Sequence, residues 1–503
     1  MLSGLNEKQY LELCETCDSI LMRSDSTVER VAISWLHIIR EHPVFLEQYR
    51  DIFNTDAPSK GFLKKWLLVL RGKLRWYDQV IKAIFSDGRP WFGAEQLFGE
   101  VDVLFVSHLI NQGHSGQEAD FYFGEMPAKL TEYGYSVLVV LINHTDQTAS
   151  DFKNKWDNCI VPRVILSKTL DLRSEIATHK KLKKEATLLH KIAKQTVSGL
   201  SKRVINRASI EALASGTHSN MRVAKQLTSL VTRFKPKLFI ITHEGHAWER
   251  LVFSAARQAA HSDVKCIGYQ HAVLFRLQHA IRRKLSPVYN PHHILTSGSV
   301  GKDVLESSPK LKGIPISILG SNRTYEKSKT CADTTTKSNK ATCLVLPEGI
   351  LSECNLLFEF SLACAKATPH LQFIWRLHPI ITLKSLLAQN PVLHNLPPNI
   401  LLSTESLEQD IMNSQWALYR GTTAIIPAII AGIRPIYFHL KGEISIDPLY
   451  EMNNWRKNVL TISEFIDVIN ENISFFEKER IDAERYCERF FLPLDGKKII
   501  HLM

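Results

Sequence analysis

The chain has 503 residues, of which 45% are hydrophobic and 22% are charged, as is usual for a soluble globular protein. Because a single hydrophobic core stops growing near ~250–300 residues, this length predicts two domains. The apolar runs are shorter than the ~20 residues that a membrane-spanning helix needs, and the N-terminal residues lack the pattern of a secretory signal. We therefore expect a cytoplasmic protein and exclude integral membrane and secreted proteins.

The nine cysteines are scattered and odd in number, which disfavours a disulfide framework. Cys14 and Cys17 form a lone CxxC on a helical pattern, with no second pair at metal-binding spacing. We expect these two side chains to pack in a helix rather than to bind a metal or to act in redox chemistry.

The formal net charge of +11 and the pI near 9.1 indicate anionic partners. Lysines cluster in segment 179–194, on a leucine- and alanine-rich helical pattern. Two interpretations stay open for them: a solvated helix face, or peripheral docking on the anionic surface of the inner membrane. Nucleic acid is not an expected partner, because the lysines are not interleaved with aromatic residues and no nucleic-acid-binding module is present.

Taken in chain order, residues 1–95 form a predicted helical extension, in which Ala32 to Ile39 shows helical spacing and no candidate chemistry is found. Residues 96–325 alternate short apolar strands with helical patterns, which predicts a first Rossmann-like domain. Its predicted strands are 101–108, 136–142, 237–242, 266–269, 293–296 and 316–319.

Residues 326–340 are rich in Ser, Thr, Lys and Asn and are predicted to be a linker. Residues 341–462 are predicted to be a second Rossmann-like domain, with a nucleotide site at its strand ends. Its strands are expected to begin at residue 342 and to continue with 371–375, 400–403, 416–419 and 434–438. Residues 463–503 are predicted to be helical and to cross back onto the first domain. The expected fold class is α/β, with two Rossmann-like domains facing a cleft and an N-terminal helical extension.

The strongest candidate site lies at two strand ends of the second domain. Arg376 and His378 follow a predicted strand at alternate positions, so on an extended backbone their side chains share a side. An arginine offers paired donors to phosphate, and a histidine donates a hydrogen bond or proton to a departing oxygen. Gly421, Thr422 and Thr423 follow the predicted strand 416–419 and precede a helical run that Pro427 is expected to break, so their N–H groups and hydroxyls are able to receive phosphate.

These second-domain residues also have plain structural interpretations: a surface arginine, a capped histidine and an N-capping threonine. Glu443, beyond the following strand, is a weaker candidate for accepting the hydroxyls of a ribose.

The first domain offers a carboxylate at the end of its 237–242 strand, in His243-Glu244-Gly245. Glu244 is the first candidate for a general base, because a carboxylate at a strand end is well placed to take a proton from a hydroxyl. Glu249 is a poorer candidate since it falls inside a helix. His271 ends another strand and is expected to face the same cleft. Helix-dipole stabilisation by Glu244 and a structural role for His271 are the alternatives.

The sequence contains no phosphate loop, no GxGxxG after a strand, no GxSxG elbow and no DxD metal motif. We therefore expect no metal site and no cofactor besides a nucleotide-sugar co-substrate.

Together, the two α/β domains, Glu244-Gly245 and the R-x-H-P sequence at 376–379 resemble the GT-B glycosyltransferases of bacterial surface polysaccharides such as capsule and lipopolysaccharide. More narrowly, 243–245 and 378–379 are similar to motifs of sialyltransferases, Kdo transferases and related enzymes that use CMP-activated acid sugars. His243 stands where those motifs have their first acidic residue. The phrases Glu-Gly-x-x-Trp-Glu and Gly-Tyr-Gln-His are similar to a family of surface carbohydrate biosynthesis proteins.

The resemblance implies an inverting, metal-independent transfer of a sugar from a nucleotide donor, bound by residues 341–462, to a glycan or lipid-linked acceptor, bound by residues 96–325. Glu244 would deprotonate the acceptor, and His378 would stabilise the departing nucleotide phosphate. The implied substrate-binding set is Arg376, Thr422, Thr423, Gly421, His271, Glu443 and His243. A same-fold glycerophosphotransferase or sugar-nucleotide epimerase stays open, as does a non-catalytic scaffold of polysaccharide assembly.

Overall fold

The computed structural model describes residues 5–53, 58–94, 97, 99–259, 264–323, 341–472 and 476–503. For residues 58–66 only the backbone is described. The predicted linker, 326–340, lies outside the described residues. Within the described residues, no helix combines the length and the apolar character needed to cross a membrane.

The first domain is built on one eight-stranded sheet. In chain order its strands are β1 (Trp91–Phe92), β2 (Val103–Leu109), β3 (Val137–Asn143), β4 (Arg163–Leu166), β5 (Leu238–Thr242), β6 (Lys265–Gln270), β7 (His293–Thr296) and β8 (Ile316–Ile318). Their spatial order is β1-β4-β3-β2-β5-β6-β7-β8. All neighbours pair in parallel except the edge strand β1, which is antiparallel to β4.

The second domain is built on a separate six-stranded sheet. Its strands are β9 (Thr342–Leu346), β10 (Gln372–Trp375), β11 (Ile400–Leu402), β12 (Trp416–Tyr419), β13 (Arg434–Phe438) and β14 (Lys457–Val459). They pair in parallel throughout, in the order β11-β10-β9-β12-β13-β14. The predicted fold class, two Rossmann-like α/β domains, is confirmed.

Helices precede the first sheet and cover both sheets. Those of the N-terminal part are α1 (Glu7–Leu21), α2 (Val28–Val31), α3 (Pro43–Leu46), α4 (Arg50–Phe53) and α5 (Pro58–Ile84). The first domain adds α6 (Met126–Glu132), α7 (Leu172–Gln195), α8 (Leu200–Glu211), α9 (Ser215–Phe234), α10 (Ala247–Ala259) and α11 (Ser299–Glu306). The remainder of the chain forms α12 (Leu351–Ala367), α13 (Leu383–Gln389), α14 (Leu407–Met412), α15 (Ile425–Ile430), α16 (Ile462–Asn470), α17 (Glu477–Glu488) and α18 (Lys497–Ile500).

The predicted strands are those with continuous apolar runs. β5 and β9 are buried along their whole lengths, because helices cover both faces of a parallel sheet. The sequence reasoning missed β1, β4 and β14. β1 and β14 are edge strands of only two and three residues, and β4 begins with Arg163, whose guanidinium bonds the carbonyls of Gln117 and Glu118.

The N-terminal helices share one hydrophobic core with the first domain rather than forming a separate unit. The Tyr10 hydroxyl donates to the carbonyl of Leu277 (2.9 Å), and Arg30 pairs with Glu185 (2.7 Å), where both side chains are buried. The helix predicted around Ala32 to Ile39 is wrong. A short 3₁₀ turn over Ser34–Leu36 gives way to irregular backbone through His42, a residue that Pro43 biases toward extended geometry.

The C-terminal segment connects the two domains a second time. α17 packs on α15 of the second domain, and the chain then returns to the first. There the Leu492 N–H donates to the Ser297 carbonyl (3.0 Å), and the Ser321 N–H donates to the Leu492 carbonyl (2.7 Å). Beyond them, Ile499 is buried in a first-domain core with Phe123.

This return passes so close to Gly298 that a side chain has no room there. A Cβ on Gly298 would lie 2.2 Å from the Arg489 carbonyl oxygen. We expect Gly298→Ala to lower the free energy of unfolding by about 1–3 kcal/mol, as overpacking does, since backbone on one side has to move. Denaturant unfolding measures the change. Gly116→Ala is the matched control, because a Cβ there meets nothing within 4 Å; equal losses in both variants would contradict the close approach.

Candidate functional site

Each sheet has one point where the strand order reverses. In the first sheet the chain builds outward from β2 through β3 and β4, and then continues on the other side of β2 with β5. In the second sheet β9 lies between β10 and β12 in the same way. Loops that leave neighbouring strands in opposite directions open a crevice at the carboxyl edge of a parallel sheet, and this is where α/β proteins bind ligands.

The two reversal points face one cleft with a volume of about 860 Å³. The first domain lines the cleft from the ends of β2, β5 and β6, and the second from the ends of β9, β10 and β12. The first-domain residues used below are His108, Thr242, Glu244 and His271, and the second-domain residues are Glu348, Gly349, His378, Gly421, Thr422 and Thr423.

Glu244 is held by the loop between β5 and α10. Glu249 in the first turn of α10 reaches back and accepts the N–H groups of Glu244, Gly245 and His246 at 2.7–3.0 Å. Gly245 has a φ of +92°, and a Cβ there would lie 2.4 Å from the Ala280 carbonyl carbon, so this loop requires glycine. Glu249 therefore acts as a cap that fixes Glu244 at the cleft.

The Glu244 carboxylate is surrounded by basic side chains. The Arg40 guanidinium donates to both of its oxygens (3.2 and 3.3 Å), while Nε2 of His246 lies 3.5 Å away and Nε2 of His271 3.7 Å away. Burial alone would raise the pKa of Glu244, but Arg40, His246 and His271 outweigh it and hold that pKa well below its usual range. Glu244 is thus ionised at neutral pH.

A second group of polar side chains lies beside Glu244 at the end of β2. His108 contacts His144 through Nδ1 (2.9 Å) and the Thr242 hydroxyl through Nε2 (2.9 Å). Burial and the neighbouring His144 lower the pKa of His108 to about 3, so its imidazole is neutral. Neutral imidazoles of this kind offer hydrogen bonds to a ligand without adding charge.

On the opposite wall His378 presents one particular ring nitrogen. The Ile380 N–H donates to His378 Nδ1 (3.4 Å), so Nδ1 is the acceptor and Nε2 carries the proton. Burial lowers the pKa of His378, which keeps the imidazole neutral near pH 7. The side chain packs beside Gly349, where a Cβ would lie 2.9 Å from its ring.

The loop after β12 carries the two threonines and ends in α15. Pro427, expected from the sequence to break the helix, does not, because it falls in the first turn, where no intrahelical N–H is needed. Behind the loop, the buried Arg420 bonds Glu353 and pairs with both oxygens of Glu443 (2.5 and 2.6 Å).

The cleft brings together six of the nine residues proposed from the sequence, namely Glu244, His271, His378, Gly421, Thr422 and Thr423. The other three, His243, Arg376 and Glu443, are turned to other partners. His243 is fully buried with Nδ1 2.8 Å from Glu249, and Glu443 pairs with Arg420.

Arg376 does not share the cleft with His378, contrary to the expectation from alternate positions. Its guanidinium donates to the buried Asp410 carboxylate (2.8 Å) and to the carbonyl of Glu405 (2.8 Å). The alternation rule fails because β10 ends at Trp375, so the backbone of 376–378 no longer follows the pleat of the sheet.

Sequence reasoning missed the contribution of the N-terminal segment. Arg40 pairs with Glu244, and two residues later Nε2 of His42 donates to the Glu348 carboxylate (2.7 Å). No motif marks these two residues. Glu348 did carry a signal, because Glu348-Gly349 follows β9 just as Glu244-Gly245 follows β5.

A second chamber of about 520 Å³ continues from Glu244 away from the second domain. It shares Arg40, Glu244 and Trp248 with the cleft. The N-terminal segment forms much of its wall, with aromatic side chains at Trp35, Phe45 and Tyr49 and a polar one at Gln48.

One group with metal-ligating atoms lies at the edge of the cleft. His42, Glu348 and Glu353 each offer a ligand atom within 4.8 Å of the others. Arg420 already neutralises Glu353, and the His42 N–H already bonds Glu348, so these side chains satisfy one another as they stand.

No protein-family profile matches the chain. No curated protein matches it either. Among solved structures, the chain is similar to the glycotransferase of kitacinnamycin, with 9% identity, 81% of this chain and 100% of the other covered, and a TM-score of 0.46. It is also similar to Acinetobacter baumannii MurG, with 10% identity, coverages of 80% and 99%, and a TM-score of 0.45. A third is UDP-GlcNAc 2-epimerase from Neisseria meningitidis, solved with UDP-GlcNAc, with 14% identity, coverages of 80% and 98%, and a TM-score of 0.43. Similarity this distant assigns no activity.

We expect Arg420 to stabilise the fold around the loop that carries Thr422 and Thr423. Arg420→Met leaves the Glu353 and Glu443 carboxylates buried without their counter-ion, so we expect a loss of about 3–5 kcal/mol in the free energy of unfolding. Arg485→Met is the control, since Arg485 is 75% exposed and lies 3.9 Å from Asp482; its effect should stay within about 0.5 kcal/mol. Urea unfolding measures the free energy of unfolding of both variants. Similar unfolding midpoints for Arg420→Met and Arg485→Met would argue against a structural role for Arg420.

Proposed function

We propose that this protein is an inverting, metal-independent glycosyltransferase that moves a sugar from a nucleotide donor to a hydroxyl of a glycan acceptor. One observation carries the proposal. An ionised glutamate, Glu244, faces a neutral histidine, His378, and two threonines, Thr422 and Thr423, across one cleft between two Rossmann-like domains. These groups stand at the strand-order reversal points of both sheets, where α/β folds bind ligands.

The second domain would hold the donor. Thr422 and Thr423 offer hydroxyl and backbone N–H groups to the phosphates. His378 would donate its Nε2 proton in a hydrogen bond to the phosphate oxygen left behind as the bond to the sugar breaks. A donor aimed at charge that develops in the transition state accelerates the step more than one that binds the ground state.

The first domain would activate the acceptor. Glu244 would take the proton of the acceptor hydroxyl while that oxygen attacks the anomeric carbon. Attack from the wall opposite the leaving phosphate inverts the configuration at that carbon. The chamber beyond Glu244 would hold the rest of the acceptor, since Phe45, which is 44% exposed, and Trp248 offer flat apolar surfaces for sugar rings.

We further propose that the donor is a CMP-activated acid sugar and that the acceptor belongs to a surface polysaccharide or lipid-linked glycan. Arg40 and Arg323 line the cleft and would balance the carboxylate of such a sugar together with the phosphate. The net charge of +11 favours anionic substrates in general. With these substrates, the reaction would take place at the cytoplasmic side of the inner membrane.

Two variants should separate binding from chemistry. Glu244→Gln should retain nucleotide binding and lose transfer, because an amide cannot accept the proton. His378→Ala should lower kcat by roughly 10²-fold or more. Nucleotide binding is measured by thermal stabilisation with CMP, UDP, GDP and CDP, where a ligand at 100 times its Kd adds ~2.7 kcal/mol.

His394→Ala is the matched control, since His394 is exposed at the end of a 3₁₀ helix of the same domain, and it should leave both readouts unchanged. Near-normal turnover in His378→Ala, or lost nucleotide binding in Glu244→Gln, would remove these roles. If none of the four nucleotides stabilises the wild type, the transferase proposal itself fails.

The pH profile of transfer should report on Arg40. Because Arg40 helps to hold the pKa of Glu244 below its usual range, Arg40→Gln should raise that pKa. Transfer requires the ionised carboxylate, so the acid limb of kcat/KM against pH should move to higher pH. Arg40→Lys keeps the charge and should leave the limb close to that of the wild type. An unmoved limb in Arg40→Gln would show that another group controls it.

A further inference from the structure

Helix α5 exposes an apolar stripe that no other described part of the chain covers. Leu67, Leu70, Leu74, Tyr77, Ile81 and Ile84 recur every three or four residues and are 37–62% exposed. Phe85, directly after the helix, is 85% exposed. Single exposed apolar residues are common on protein surfaces, but a continuous stripe over five turns marks an interaction surface.

The stripe is not the face by which α5 packs on the first domain. On the opposite side, the Trp76 ring stacks on His179 of α7 with centroids 4.1 Å apart, and Ala83 is buried. Arg75 donates to the Ser215 hydroxyl (2.8 Å), and Gln79 donates to the carbonyl of Lys168 (3.1 Å). These contacts fix the rotation of the helix, so the stripe points outward.

The charge of the helix identifies the partner. Residues 58–84 contain seven lysines and arginines and a single acid, Asp78, a net charge of +6 within the chain's +11. By helical periodicity, Arg71 and Lys73 lie on either side of the stripe. Asp78 already pairs with Lys82 (2.6 Å). Pairing with a second copy of α5 would bring two segments with a net charge of +6 together. An anionic membrane surface instead attracts the positive charge and also offers an apolar layer for the stripe.

We propose that α5 docks in the plane of an anionic phospholipid bilayer, with the stripe in the acyl boundary and the flanking Arg71 and Lys73 on the headgroups. Exposed lysines on the neighbouring α7, among them Lys180 and Lys183, add positive charge beside α5. The solvated lysine face of α7 thus adds attraction, and α5 supplies the apolar insertion.

Co-sedimentation of the full-length protein with vesicles tests this docking. The vesicles are either phosphatidylcholine alone or phosphatidylcholine with one third phosphatidylglycerol, at ~0.1 M salt. The wild type should bind the anionic vesicles at least about tenfold more strongly than the vesicles of phosphatidylcholine alone. Leu74→Ser with Ile81→Ser should reduce that binding about tenfold without changing charge, and Arg71→Gln with Lys73→Gln should reduce the preference for anionic lipid.

Ile160→Ser with Val392→Ser is the matched control, because these residues are similarly exposed (57% and 62%) and lie away from α5. It should bind like the wild type, and thermal unfolding of each variant checks that the fold is retained. Unchanged vesicle binding in the Leu74/Ile81 variant would overturn the proposal. A wild-type dimer by light scattering that this variant converts to monomer would overturn it in favour of a second copy.

Discussion

Two glutamates at the ends of parallel strands, one buried and one partly buried, set the requirements that the rest of the molecule meets. Glu244 and Glu348 each follow the central strand end of their own sheet, where helices and loops exclude most of the solvent. A carboxylate in such a place needs a partner, because burying it unpaired is costly. Both partners come from one short stretch of the N-terminal segment, through Arg40 and His42. The segment that the sequence suggested to be an accessory is therefore part of the cleft.

Glu244 and His378, on opposite walls of the cleft, differ in charge. Glu244 stays ionised because basic side chains surround it, while His378 stays neutral because burial disfavours its charged form. The surroundings of each residue, and not only its type, thus make Glu244 a proton acceptor and His378 a hydrogen-bond donor. This difference suits a reaction in which one side takes a proton and the other stabilises a departing phosphate.

The sequence predicted the parts of this arrangement that depend on local pattern. Apolar runs of four to eight residues located most strands, and polar residues at their carboxyl ends located Glu244, His271 and His378, because parallel strands all end at one edge of a sheet. The sequence could not predict which partner each of these polar side chains contacts. Arg376 and His378 are two residues apart, yet one turns to Asp410 and the other to the cleft. Arg40 reaches Glu244 across 204 positions of sequence, a contact that only the packing of the N-terminal segment on the first domain creates.

The return of the chain at Leu492 makes the second domain an insertion within the first. The backbone leaving the first domain at Ser321 and the backbone coming back at Leu492 are hydrogen-bonded side by side. Two neighbouring backbone segments thus join the domains at this point, and a rotation of the second domain about them would change the distance between Glu244 and His378.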